Sequence, residues 1–161
     1  MTKIIQDVVA PLLRANDWRF FQDVERDCVI ALLSPPGPDV GSLALVFQAD
    51  DELEEASLSV ELCTAPPARR AAVAALIAEL NAGARFIKFS MNRGSTVFLS
   101  IDVELTHSDN APALIGLAIG RIMASIKATF DRIIQTAYPK KKQPPSRVER
   151  EVGDILRQAQ L

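Results

Sequence analysis

Between Ala71 and Tyr138 the apolar residues switch period twice, and that order of periods leaves few folds open. Val73, Leu76, Ile77 and Leu80 recur at helical spacing. Val97, Leu99, Ile101, Val103 and Leu105 then alternate as strand residues do, giving the clearest inward face in the chain. Ile115, Ile119, Ile122, Ile126, Phe130 and Ile133 return to helical spacing in a long run that Pro139 breaks near Tyr138. A helix ending near Asn81, two strands (Arg85 to Met91 and Ser95 to Leu105) and a long helix opening near Asp109 or Asn110 must bury their apolar faces on one another. Asn92-Arg93-Gly94 reads as a three-residue hairpin loop in which Gly94 supplies positive φ.

The first half supplies the rest of a sheet. Ile4, Ile5, Val8, Val9, Leu12 and Leu13 predict a helix over residues 2–15, kinked or divided by Pro11, and Asn16-Asp17 ends it. Trp18 to Phe21 is an aromatic-rich extended segment leading into the sheet. Cys28 to Ser34 and Ser42 to Gln48 read as hairpin partners joined through Pro35-Pro36-Gly37-Pro38. In the third strand Ala56, Leu58, Val60 and Leu62 point one way and Ser57, Ser59 and Glu61 the other, so one face of the sheet is wet. Thr64 is placed to cap the following helix, with Pro66-Pro67 in its opening turn and Gly83 at its end.

Composition narrows the function classes. The 161 residues, 48% hydrophobic and 24% charged, suit one domain with a real core. Two cysteines, Cys28 and Cys63, sit in apolar runs and read as buried free thiols rather than a disulfide scaffold. Met1 to Arg14 is interrupted by Lys3, Asp7 and Pro11, unlike a signal peptide, and the long helix carries Arg121, Lys127, Asp131 and Arg132, which argues against a membrane span. A cytoplasmic protein is expected. A net charge of −2 gives no overall field for nucleic acid.

Leu80-Asn81-Ala82 leading into Phe86, Phe89 and the Gly94 hairpin, within the order helix, three strands, helix, two strands, helix, resembles the YbjN family over about residues 2–138. These are bacterial proteins regarded as sensory-transduction regulators, with a fold similar to type III secretion chaperones. The resemblance implies an α+β domain: a five-stranded antiparallel sheet in the order α-β-β-β-α-β-β-α, with the helices packed on one face. It also implies a protein that binds other proteins and transforms no substrate. Residues 1–138 form the domain, and residues 139–145 a basic, proline-containing linker. In residues 146–161 Ser146 and Glu149 make a capping-box pattern for a last amphipathic helix bearing Val148, Val152, Ile155 and Leu156.

Chemistry has little foothold. Thr106-His107-Ser108-Asp109 holds the single histidine, but neighbours in sequence cannot assemble a nucleophile–base–acid relay, and Ser and Asp there suit a helix entry. Asp50, Asp51, Glu52, Glu54 and Glu55 lack the spacing and glycine of an EF-hand and read as a solvated hairpin tip. Asp102 and Glu104 point outward on a strand, with Lys88 or Arg85 as expected cross-strand partners. No glycine-rich phosphate loop, HExxH helix or CxxC pair occurs, so no cofactor, metal or catalytic residue is assigned.

Binding surfaces are more legible. About a quarter-turn from the long helix's core stripe lie Gly116, Met123 and Ile134, with Gly120 beyond them. Interior glycines cost about 1 kcal/mol each against alanine, which the close approach of another helix would offset. This ridge, with Val148, Val152, Ile155 and Leu156, is the candidate partner-binding surface, for a protein client or in a homodimer. The tail's six cations against three carboxylates leave nucleic-acid contact as the alternative, disfavoured because the tail has no aromatic residue to stack on bases. If the Val97–Leu105 alternation and the Ile115–Ile133 stripe share a core, Ile101→Asp buries an unpaired carboxylate and abolishes cooperative thermal unfolding; an unchanged melting curve would exclude that core.

Overall fold

The computed structural model describes residues 1–33, 43–106 and 110–139. A π-helical turn at Ile5–Val9 runs into α1 (Ala10–Ala15). Strands β1 (Phe20–Asp23), β2 (Cys28–Leu33), β3 (Leu43–Asp50) and β4 (Glu55–Thr64) follow. A 3-10 turn at Pro67–Arg69 opens into α2 (Arg70–Gly83), and β5 (Lys88–Met91), β6 (Thr96–Glu104) and α3 (Ala111–Ala137) complete the order.

The fold is α+β with one antiparallel sheet, and the sheet has six strands, not five, in the spatial order β1-β2-β3-β4-β6-β5. The additional strand is β1, which pairs with β2 from Phe20↔Ala31 to Asp23↔Cys28. Its residues are only half-buried or exposed, because an edge strand of four residues has one neighbour and little of it lies over the core. That weak burial is why its apolar pattern does not announce a strand.

The central strands do announce themselves. Val29↔Phe47, Phe47↔Leu58 and Leu58↔Ile101 form one cross-strand row of the inner face. Ala31↔Leu45, Leu45↔Val60 and Val60↔Leu99 form the next. These residues are buried beneath Ile5, Val9 and Leu13 at the N-terminus, Val73 of α2, and Ile115, Ile122, Ile126 and Ile133 of α3. Burying a Leu, Ile or Phe side chain contributes about 1.5–3 kcal/mol, so these rows dominate the stability of the domain. On the opposite face Ser57, Ser59 and Ser100 are half-buried and Asp102 exposed, as the alternation of β4 requires.

Local chemistry departs from expectation at several joints. Thr64 is the last residue of β4, with its hydroxyl 3.3 Å from that of Thr96, and it does not cap α2. The 3-10 turn at Pro67–Arg69 makes the entry instead, and no side chain caps α2. Pro11 lacks an N–H and its ring would meet the Asp7 carbonyl in α geometry; the wider π turn just before it, closed by Ala10 N–H to Ile5 C=O, accommodates the ring. The β5–β6 loop has four residues, Asn92 to Ser95, and the left-handed residue is Ser95 at φ 66°, not Gly94. Asp27 at φ 48° and Glu54 at φ 51° hold the same last place in the β1–β2 and β3–β4 loops. These three loops thus share one design, in which an ordinary residue takes the conformation that glycine usually supplies.

Asn81, at the C-terminal end of α2, closes the β5 edge. Its carboxamide oxygen accepts from Phe89 N–H at 2.8 Å and its Nδ2 donates to Phe89 C=O at 2.8 Å, as a neighbouring strand would. Phe89 is buried, so Asn81→Ala strands a buried donor and acceptor and should cost about 1–3 kcal/mol in urea denaturation. Asn81→Asp keeps the acceptor and loses the donor, and is expected to fall between the two; a loss-free Asn81→Ala would show that solvent replaces the carboxamide fully.

Candidate interaction surface on the long helix

α3 is set into the core by one stripe. Ile115, Ala118, Ile122, Ile126, Phe130, Ile133 and Ala137 are buried, and Ile119 and Ile134 are half-buried against the same core. By length and composition alone α3 would pass for a membrane span, but this stripe is already packed against the sheet and α2.

Polar contacts fix α3 to its neighbours. Both Glu79 oxygens accept from Arg132 Nη2, at 3.0 and 3.1 Å. Arg69 Nε donates to the Thr136 carbonyl at 2.9 Å, satisfying an acceptor that the last helical turn leaves unpaired, and the Tyr138 hydroxyl donates to the Thr64 carbonyl. On the α1 side a small recess of about 140 Å³ is lined by Leu12, Leu13, Asn16, Trp18, Gly116 and Ile119.

The remaining face of α3 is open and apolar. Ala113, Gly116, Gly120 and Ala124 fall one above another and are exposed, flanked by Leu117 at 50% and Met123 at 37% exposure. Nothing lies within 4 Å of where a Cβ would stand on Gly116 or on Gly120, so no close approach among the described residues accounts for either glycine. At one border Arg121 lies over the ring of Phe86, 4.1 Å from its centroid, and Phe86 is itself 61% exposed. Gly116, Gly120 and Met123 therefore share an outward ridge, whereas Ile134 turns partly inward. Val148, Val152, Ile155 and Leu156 lie outside the described residues, as do His107 and Asp109.

The other candidate groups are occupied or dispersed. Asp51 holds the N-terminal segment: its carboxylate accepts from Lys3 N–H at 2.6 Å and Ile4 N–H at 3.0 Å. Those bonds, Ile4's first, lower its pKa below the ordinary carboxylate value. Asp50 Oδ1 accepts from Glu52 and Leu53 N–H within its own turn. An open groove of about 410 Å³ lies beside Asp51 and is lined also by Lys3, Ile4, Asp7, Glu54 and Leu105. Asp102 stands opposite Ser57 and Glu104 opposite Glu55, while Lys88 stands opposite Ser100, so the expected cross-strand ion pairs are not directly facing. Burial raises both thiol pKa values, with Asp23 adding to the effect at Cys28 and Glu61 at Cys63, which keeps both protonated and unreactive near neutrality. Among the described residues no three His, Cys, Asp or Glu side chains gather as a metal site would need.

The YbjN family's sequence profile, described as "Putative bacterial sensory transduction regulator", matches residues 6–134. The chain belongs to the YbjN family. No curated protein matches it. Among solved structures, "YbjN, a putative transcription regulator from E. coli" superposes with a TM-score of 0.57 at 12% identity, covering 78% of this chain and 87% of that one. A chain of the heterodimeric ExoU–SpcU complex from the type III secretion system of Pseudomonas aeruginosa superposes with a TM-score of 0.53 at 15% identity, over 83% of this chain and 100% of that one. At such identities the superpositions establish a shared fold. The YbjN match stops at residue 134, so it leaves out the last turn of α3 and all that follows.

The long-range contacts of this YbjN domain that sequence reading missed include Asp51 to the N-terminal helical segment, Arg121 to Phe86, Arg132 to Glu79 and Arg69 to the Thr136 carbonyl. Their partners are remote in the chain, 47 residues apart for Asp51 and Ile4, so no local spacing reveals them. Because the folded pKa of Asp51 is depressed, its contribution is present above the ordinary carboxylate pKa and is lost as pH falls through the lowered value. Asp51→Asn should cost about 1 kcal/mol near neutral pH, the worth of a helix cap, and the deficit should shrink on acidification; a deficit constant from pH 7 to pH 2 would refute the charged cap.

Proposed function

We propose that this protein is a non-enzymatic, chaperone-like regulatory module that works in a bacterial cytoplasm by binding another protein through the outer face of α3. The observation that carries the reading is the exposed apolar face from Ala113 to Ala124, in which two glycines hold open space that nothing else in the described fold uses. A solvent-facing helix would favour charge and side chains of higher helix propensity there. Membership of a family described by regulation supports it, as does a fold shared with a chain of a heterodimeric secretion complex. A second copy of the protein is one partner that could seat on the same ridge, through a twofold contact at Gly116 and Gly120.

The test is site-specific photo-crosslinking in extracts of the source cell. A crosslinker at Leu117 should yield a discrete protein adduct, identified by mass spectrometry, which one at Ser59 on the outer sheet face does not yield. Gly120→Glu should suppress that adduct while leaving the melting temperature unchanged or higher, since its Cβ enters open space. Equal labelling from Leu117 and Ser59 would overturn the assignment.

A further inference from the structure

Along the outer face of α3, Gly116, Gly120, Ala124 and Ala128 follow one another at every fourth residue, and all four are exposed. With side chains no larger than a methyl group, that row is a shallow channel. The neighbouring rows rise beside it, with Leu117 and Arg121 on one wall and Met123 and Lys127 on the other. Such every-fourth rows are the grooves into which a second helix sets its own every-fourth ridge, and the two glycines bring its axis to the near end of the usual spacing of about 8–10 Å. From Gly116 to Ala128 the channel runs about 18 Å, enough for about three turns of a partner helix.

The walls carry charge of one sign. From Ala111 to Phe130 α3 holds two cations, Arg121 and Lys127, and no carboxylate, although the whole chain has 20 Asp and Glu against 18 Lys and Arg. One stands on each side of Ala124, and Asp131, the first acid of the helix, comes only after Ala128. Among the described residues the ion pairs are made by the Met1 ammonium, Arg26 and Arg132, so neither wall cation is engaged by a carboxylate. Arg121 is also held ready. Its guanidinium rests 4.1 Å from the centre of the Phe86 ring, and none of its N–H groups is taken up by an acceptor among the described residues. A guanidinium already restrained by a ring gives up less freedom when it grips a carboxylate in its planar fork. Exposed Phe86 with Arg121 over it is the pairing of residue types that anchors interfaces. A twofold contact centred on Ala124 would instead set each cation against a cation, which disfavours a second copy as the occupant.

We infer that the partner of this face is an acidic amphipathic helix, whose apolar stripe lies in the channel from Gly116 to Ala128 and whose carboxylates, one on each flank, pair with Arg121 and Lys127. The inference rests on the reading of α3 as the binding surface and adds to it the chemistry of what binds. The apolar floor supplies the burial, and the two cations select the partner and fix its position along the channel.

Selection from a displayed library of helices tests it. Each helix has about 18 residues, an apolar stripe at helical spacing, and Glu, Lys, Gln or Ala drawn equally at the flanking positions. The bait is the full chain, and the counter-bait is Gly120→Gln, which fills the channel without adding charge. Clones that bind the wild type and not Gly120→Gln should carry Glu on both flanks. For a synthetic peptide of such a clone, Arg121→Glu with Lys127→Glu should lower affinity about tenfold or more, and a Lys-flanked version should prefer the double variant over the wild type. Lys127→Glu alone, at an exposed position, should cost about threefold and gives the answer should Arg121→Glu disturb the Phe86 contact. Clones flanked by Lys, or showing no charge preference, would overturn the acidic helix and leave α3 standing as the surface. A wild-type dimer in sedimentation velocity that Gly120→Gln returns to monomer would overturn it too, because a second copy would then cover the channel. No enrichment, or clones that bind Gly120→Gln as well as the wild type, would remove the surface itself, which crosslinking at Leu117 checks independently.

Discussion

A sheet that buries one face only must be covered, and the cross-strand row Val29–Phe47–Leu58–Ile101 determines by what. Its side chains are large and fully or nearly fully withdrawn from water. Here a layer of helices presenting matching apolar stripes provides that cover. The N-terminal helical segment, α2 and α3 supply it, and every other contact in the domain tunes how those helices sit. Arg132 with Glu79 and Arg69 with the Thr136 carbonyl act at the helix flanks, where exposed polar bonds orient more than they stabilise.

Legibility in the sequence followed burial. β4, β6 and α3 could be read almost residue by residue because each has one face in the core and one in water, so period and environment agree. β1 could not, since Phe20 to Asp23 lies at an edge with no continuous buried face. Loop chemistry misled in a consistent way. Gly94 was the expected site of positive φ, yet Ser95 takes it, because the loop is one residue longer than the local pattern suggests and its last residue must turn into β6. At the candidate surface the glycine ridge was visible as a periodicity, but its openness and its border with Phe86 and Arg121 depend on tertiary placement.

Polar side chains in this domain repeatedly stand in for backbone. Asp51 takes the place of a residue preceding a helix, Asn81 that of a neighbouring strand, and Arg69 that of a further helical turn. Asp51 ties the β3–β4 loop to the N-terminal helical segment and Arg69 ties the entry of α2 to the end of α3, both across long stretches of chain, while Asn81 joins α2 to the strand that follows it. The resemblance noted at Leu80-Asn81-Ala82 thereby acquires a physical content: the asparagine completes hydrogen bonding where the sheet stops.

That stop makes the two edges of the sheet unlike. Beyond β5 the carboxamide of Asn81 already fills the position an incoming strand would take at Phe89, whereas among the described residues β1 has no strand on its outer side. With both its N–H and its C=O taken up by a side chain, Phe89 has no free backbone group left for an added strand, so the β5 margin is closed to edge-to-edge pairing at its centre by a single carboxamide.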